Sequence, residues 1–130
     1  MKIRNSDYPK DWLKIAKKDF ERVEKLLKIN DHIAAGFYLQ QAVEKFLKAF
    51  LLDHGWKLKR LHDLEILLND AIKYKTEFEM FRNVCQQISI FYFTERYPYF
   101  MDTAIDEKDV NDAFLIVKKL VIIIEEYFKK

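Results

Sequence analysis

Hydrophobic residues recur every three or four positions along most of this chain, which is the spacing of one face of an α-helix. Near the end of the sequence, for example, Val110, Phe114, Val117, Val121 and Ile124 form one apolar stripe. The pattern indicates an all-α protein, an up-and-down bundle of four to five helices. The helices are predicted over residues 9–29, 31–54, 63–74, 76–96 and from 106 to about 128.

Residues with known preferences at helix ends mark several of these boundaries. Asp31 and Asp106 can each accept hydrogen bonds from the first turn of a helix. Thr76 and Glu79 have the spacing of a capping box. Gly55 is placed to end the second helix in a left-handed conformation. These signals predict where the second, fourth and fifth helices begin and where the second one stops.

One short segment is ambiguous between helix and strand. Residues 88–93 (Ile-Ser-Ile-Phe-Tyr-Phe) would pass for a strand by themselves, but helical spacing on both sides favours a helix. The whole chain contains two glycines and two prolines. Tight turns between strands normally use more of both residues, so their scarcity also favours long helices.

Composition narrows the class of protein. The 130 residues suit one domain, spanning 1–130, and a hydrophobic content of 50% is enough for a core without disulfides or metal. The 23 basic and 21 acidic residues give a net charge of +2, which argues against a general nucleic-acid coat protein. This overall balance does not exclude a local basic patch, because one predicted connection contains Lys57, Lys59, Arg60 and His62. The single cysteine, Cys85, excludes an internal disulfide and is expected to be a small core residue.

The expected location is the cytoplasm. The first residues lack the apolar segment of a signal peptide. The longest apolar run, residues 120–124, is far too short to span a bilayer. A cysteine that has no partner suits a reducing compartment. The sequence therefore predicts a soluble cytoplasmic protein.

The second predicted helix carries a row of hydrophilic residues on an otherwise apolar surface. Gln41, Glu44, Lys45 and Lys48 follow one another at helical offsets of three and four. The simpler interpretation is a surface stripe steadied by a Glu44–Lys48 pair, which would contribute a few tenths of a kcal/mol. The alternative is the wall of a binding groove, in which the lysines contact phosphate and Gln41 and Glu44 read a base or orient them.

Two further clusters have both a structural and a functional interpretation. His62 and Asp63 open the third predicted helix, where Asp63 can act as a cap and His62 could bind phosphate or transfer a proton. Arg96 ends the fourth predicted helix and is followed by Tyr97 and Pro98. An arginine there can cap helix carbonyls, but a forked cation beside aromatic rings also suits phosphate with a stacked base.

Other kinds of site find no support in the sequence. The three histidines and Cys85 do not have the spacing of a zinc site. With two glycines, the chain has no glycine-rich phosphate loop, and there is no nucleophile elbow. No metal and no cofactor are predicted.

Three motifs together resemble the HEPN domain (higher eukaryotes and prokaryotes nucleotide-binding). They are residues 40–48 (Gln-Gln-Ala-Val-Glu-Lys-Phe-Leu-Lys), residues 61–64 (Leu-His-Asp-Leu) and residues 96–98 (Arg-Tyr-Pro). Their order and spacing match, and the resemblance covers nearly the whole chain. It implies a helical bundle, often a homodimer, which frequently works beside a minimal nucleotidyltransferase as a toxin–antitoxin-like pair. It also implies that Lys45, Lys48, His62, Arg96 and Tyr97 line one cleft facing nucleotide or RNA.

The sequence departs from the family's ribonucleases in one respect. In those members four to six residues separate an arginine from a histidine, whereas the positions with these separations after Arg96 are Met101, Asp102 and Thr103. The resemblance therefore favours a binding module over an enzyme. Two alternatives remain: a toxin-like ribonuclease with a non-standard acid–base group, and a purely structural dimerisation domain. The aromatic side chains of the fourth predicted helix suggest a dimer face.

Overall fold

Five α-helices form the fold in the computed structural model, which describes residues 6–96 and 106–129 and, for residues 93–96, the backbone alone. A 3₁₀ helix, Thr76–Phe81, directly precedes the fourth α-helix. The described residues contain no strand, so the predicted all-α bundle is confirmed. None of the helices in these ranges is long and apolar enough to cross a membrane. The α-helices are α1 (Pro9–Lys28), α2 (His32–Asp53), α3 (Leu64–Ile72), α4 (Arg82–Arg96) and α5 (Glu107–Phe128).

Most of the predicted helix ends are confirmed. The Asp31 carboxylate accepts a hydrogen bond from the backbone N–H of Ala34 at the start of α2. The Asp106 carboxylate accepts one from the N–H of Lys108 at the start of α5. Gly55 follows α2 with a φ of 86°, a conformation that glycine adopts without steric cost. The loop that leaves α2 therefore turns where the sequence predicts.

The prediction of a capping box at Thr76 is wrong. Thr76 is the first residue of the 3₁₀ helix, and no side-chain hydrogen bond caps that end. Glu79 instead pairs with the next turn, where its Oε1 accepts a hydrogen bond of 2.7 Å from Arg82 Nε. Phe78 and Phe81 are both fully buried. Because side chains three positions apart are aligned in a 3₁₀ helix, this geometry points both rings into the core.

Helix α2 is the centre of the bundle. It contacts α1, α3, α4 and α5. Leu39, Phe46 and Leu47 are completely buried on it, as expected for a helix that is apolar on several sides. The ambiguous segment 88–93 is part of α4, with Ile88 and Phe91 packed in the core. The hydrophilic row on α2 therefore lies on a helix that has neighbours on several sides, and its surroundings depend on how these neighbours pack.

Candidate functional site

The hydrophilic row of α2 lines a cleft of about 820 Å³, called here the basic cleft. Its walls come from α1, from α2 and from the connection between α2 and α3. All four row residues and His62 lie along it, so the structure brings the α2 row together with His62 of the second predicted cluster. The lining residues are Trp12, Ile15, Gln41, Glu44, Lys45, Lys48, Leu58, Lys59, Arg60 and His62.

Glu44 and Lys48 do not form a surface stripe. Glu44 is 3% exposed and Lys48 is 2% exposed, and Lys48 Nζ lies 2.9 Å from Glu44 Oε2. Charges removed from water are costly unless each is compensated, so this pair differs from an ordinary exposed salt bridge. The surface-stripe interpretation of these two residues is wrong, because both are buried, with His62 against Glu44 and the Trp12 ring against Lys48.

Glu44 is the centre of a buried hydrogen-bond network. Its Oε1 accepts a hydrogen bond of 3.2 Å from Gln40 Nε2. The imidazole Nδ1 of His62 lies 3.2 Å and 3.1 Å from the two carboxylate oxygens. On the other side of the pair, the Lys48 ammonium lies 5.1 Å from the centre of the Trp12 ring, a cation–π distance. The network therefore fixes one end of an imidazole while keeping both charges compensated.

The outer end of the His62 imidazole is exposed and can contact a ligand. The His62 side chain is 66% exposed although its carboxylate partner is buried. A carboxylate only accepts hydrogen bonds, so Nδ1 carries the proton that lies between them. The outer nitrogen, Nε2, then accepts a proton when His62 is neutral and donates a hydrogen bond when it is charged. This arrangement suits either proton transfer or contact with an anion.

Lys45 has a buried counter-charge that the sequence reading missed. Asp19 is 3% exposed, and its Oδ2 lies 2.5 Å from Lys45 Nζ. Its other oxygen, Oδ1, lies 3.2 Å from Arg22 NH1. The available signal was an acidic residue among the apolar positions of the α1 face, between Ala16 and Val23. Both lysines of the predicted row are therefore already paired with carboxylates.

The rim of the basic cleft carries cations of a different kind. Lys59 and Arg60 are exposed, and neither forms an ion pair with any residue that the structure describes. Lys59 lies over the Trp56 ring, 5.8 Å from its centre. The basic run in the sequence was the signal for them, although the three motifs did not include them. They supply positive charge that no carboxylate of the described residues neutralises.

Asp63 caps α3, as its structural interpretation predicts. Its Oδ1 accepts hydrogen bonds from the backbone N–H groups of Glu65 and Ile66, at 2.9 Å and 3.4 Å. Asp63 does not line the basic cleft. It lies instead in a second cleft of about 370 Å³, called here the small cleft, to which His62 also contributes. Its lining residues are Gln40, His62, Asp63, Glu65, Gln86, Ser89 and Tyr92.

Comparison with known proteins assigns the family. A family model of the HEPN domain matches residues 9–127, which is nearly the whole chain. The chain belongs to the HEPN domain family. Neither the curated proteins nor the solved structures contain a significant match to it. Membership of the HEPN family indicates a function related to nucleotides or RNA.

The third predicted cluster of this HEPN domain is outside the part that the structure describes. Arg96 is the last described residue of α4, but its side chain is not among those described, and Tyr97 belongs to residues 97–105, which the structure does not describe. Their convergence with Lys48 and His62 stays a prediction.

Cys85 is a core residue of this HEPN domain, as predicted. It is buried, and this burial raises the pKa of its thiol to about 12. The thiol is therefore protonated at neutral pH, which is the weakly nucleophilic form. Across residues 6–96 and 106–129, no group of three or more histidine, cysteine or acidic side chains is placed to hold a metal ion.

Proposed function

We propose that this HEPN domain is a nucleotide- or RNA-binding module whose phosphate site is the basic cleft. The observation that carries the proposal is the pair of rim cations, Lys59 and Arg60, which have no ion-pair partner among the described residues and lie beside a cleft of ligand size. Arginine presents a planar fork that matches the oxygens of a phosphate group. The charged form of His62 adds a hydrogen-bond donor at Nε2, on the same wall.

The four residues of the α2 row have unequal roles in this proposal. Lys48 is buried behind Glu44 and acts by holding the carboxylate that orients His62. Lys45 is 20% exposed and paired with Asp19. Because the Asp19 carboxylate already compensates this ammonium group, Lys45 attracts phosphate less strongly than an unpaired lysine would. Gln41 is the neutral member, and its Nε2 donates to Gln40 Oε1. Arg96 and Tyr97 remain proposed contacts to phosphate and to a base or the partner, respectively.

Removing both rim cations is the direct test. We expect Lys59→Ala/Arg60→Ala to weaken binding of ATP or of short single-stranded RNA by about tenfold or more, since one hydrogen bond to a charged group contributes about 1.5–3 kcal/mol. Lys118→Ala/Lys119→Ala on α5 is the matched control, because it removes the same charge from exposed positions away from the cleft. Calorimetric titration at a fixed, low salt concentration measures both variants.

Two outcomes would contradict this assignment. Absence of binding to any nucleotide or RNA would remove the binding module altogether, and an equal loss in the control would show a general charge effect. The RNA should also be recovered intact from a solution that contains a chelator. RNA cut by the wild type but not by His62→Ala would instead favour the alternative, a ribonuclease. There the His62–Glu44 pair would take the proton of the ribose 2′-hydroxyl.

We further propose that the domain forms a homodimer and acts with a nucleotidyltransferase in a toxin–antitoxin-like pair. Supporting this, Leu115 and Ile122 lie seven residues apart on α5 and are 58% and 59% exposed. Exposed apolar side chains at helical spacing are typical of helix faces that pack against another protein. The described aromatic residues of α4 pack internally, and the exposed apolar residue there is Ile90.

Co-expression with a neighbouring nucleotidyltransferase gene tests the partner. We expect a complex with two copies of this domain, and Leu115→Asp/Ile122→Asp should reduce its recovery without lowering the melting temperature. Lys17→Asp/Glu24→Lys changes charge at two exposed positions seven residues apart on α1, away from this α5 face, and serves as the control. Light scattering after size exclusion gives the composition. A single chain that retains no partner would contradict both proposals, whereas a dimer indifferent to nucleotide and partner would favour a structural dimerisation domain.

A further inference from the structure

The small cleft differs from the basic cleft in its chemistry. Its charged side chains are the carboxylates of Asp63 and Glu65, and no lysine or arginine is among its described lining residues. Helix α4 adds the amide of Gln86 and the hydroxyl of Ser89. Carboxylates repel phosphate but accept hydrogen bonds from hydroxyl and amino groups. The small cleft therefore suits the part of a ligand that carries donors and no negative charge.

Most of the acceptor atoms in the small cleft are available to a ligand. Asp63 uses Oδ1 to cap α3, and its Oδ2 accepts no hydrogen bond from the described residues. Glu65 has one weak contact, with Arg82 NH1 at 3.5 Å from Oε1. Gln86 is exposed, and its side chain makes no hydrogen bond within the described part of the chain. A ligand entering here would find unpaired oxygens and an amide with both donor and acceptor atoms.

The two clefts are joined by the same buried network. His62 lines both of them. Gln41 lines the basic cleft and Gln40 the small one, and the two amides are linked by a hydrogen bond of 2.6 Å. Gln40 also donates to the backbone carbonyl of His62 at 3.4 Å. The wall between the cation-rimmed cleft and the acceptor-rich cleft is therefore formed by His62 and by the hydrogen-bonded pair Gln40 and Gln41.

From this juxtaposition we infer that the small cleft binds the nucleoside half of a ribonucleotide whose phosphate occupies the basic cleft. The inference rests on the phosphate site proposed above. The ribose hydroxyls and an exocyclic amino group donate to the Asp63 and Glu65 carboxylates, and the Gln86 amide pairs with the edge of the base. The ligand class is a ribonucleoside 5′-phosphate unit, free or at the end of an RNA strand.

Separate probes for the two halves of the ligand test the inference. In a solution containing a chelator, we expect adenosine 5′-monophosphate to bind at least tenfold more tightly than inorganic phosphate, and its 2′-deoxy analogue to bind more weakly. Gln86→Ala should weaken binding of the monophosphate about fivefold, corresponding to one hydrogen bond. It should leave phosphate binding unchanged. Gln87→Ala, the neighbouring glutamine on α4 outside the small cleft, is the matched control.

The outcomes separate this inference from the proposed function. If neither phosphate nor nucleotide binds, the phosphate site fails and the inference falls with it. If phosphate binds as tightly as the monophosphate, or Gln86→Ala behaves like Gln87→Ala, only the inference is overturned. Binding that requires a divalent cation would also overturn it, since Asp63 and Glu65 would then hold the ion. Unchanged melting temperatures would show that both variants are folded.

Discussion

Glu44→Ala is expected to lower the free energy of unfolding by about 3–5 kcal/mol, the cost of leaving one charge of a buried pair uncompensated. Lys48 would keep only the Trp12 ring as a described partner for its ammonium group. In the same substitution the imidazole of His62 would lose its carboxylate acceptor, and the amide of Gln40 would keep only its weaker bond to the His62 carbonyl. Urea denaturation, followed by circular dichroism, measures the effect.

An exposed pair with the same spacing provides the control for this prediction. Lys108 Nζ lies 2.8 Å from Asp112 Oδ2, also four residues apart but open to solvent. Asp112→Ala should change the free energy of unfolding by less than about 0.5 kcal/mol. Glu44→Leu/Lys48→Met should recover much of the stability that Glu44→Ala loses, because no buried charge is left alone. If Glu44→Ala cost no more than Asp112→Ala, the pair would be an ordinary solvated one.

Phe50→Ala is expected to cost about 3–5 kcal/mol, as removal of a fully buried aromatic side chain usually does. Phe50 is 1% exposed and joins three parts of the chain. Its ring centre lies 4.9 Å from that of Phe78 in the 3₁₀ helix and 5.0 Å from that of Tyr127 in α5. The substitution would leave a cavity at the end of α2, where this helix packs against the 3₁₀ helix and α5. Denaturant unfolding monitored by circular dichroism would measure it.

A graded series identifies the cause of that loss. Phe50→Leu keeps much of the volume and should cost less than about 1.5 kcal/mol. Tyr127→Phe keeps the ring that faces Phe50 and removes only the hydrogen bond to Asp53, so it should cost about 1 kcal/mol or less. A Phe50→Leu variant as unstable as Phe50→Ala would show that ring geometry matters more than the buried volume.

Local patterns in the sequence account for most of the fold. The apolar spacing, the aspartates at positions 31 and 106 and the glycine at position 55 act on residues within about one helical turn. Such effects do not depend on what lies across the bundle, so they can be read from the chain alone. These local patterns do not predict the 3₁₀ helix at Thr76–Phe81, because its geometry follows from burying Phe78 and Phe81 together.

The site was predictable only in part for the same reason. The row on α2 and the position of His62 are visible in the sequence, because hydrophilic residues stand out in an apolar helix and at a helix start. The Asp19–Lys45 pair joins residues 26 positions apart, and no local pattern predicts such a pairing. Likewise, Gln86 reaches the small cleft only through the packing of α4 against α2.

By itself, the sequence determined that this chain forms helices, where most of them end and which family it belongs to. The tertiary structure decided that Glu44 and Lys48 are buried and that His62 stands between two clefts of different chemistry. The physical reason is the separation along the chain over which each kind of interaction acts. Backbone hydrogen bonds and caps connect near neighbours, whereas the environment of a charge depends on which distant segment covers it.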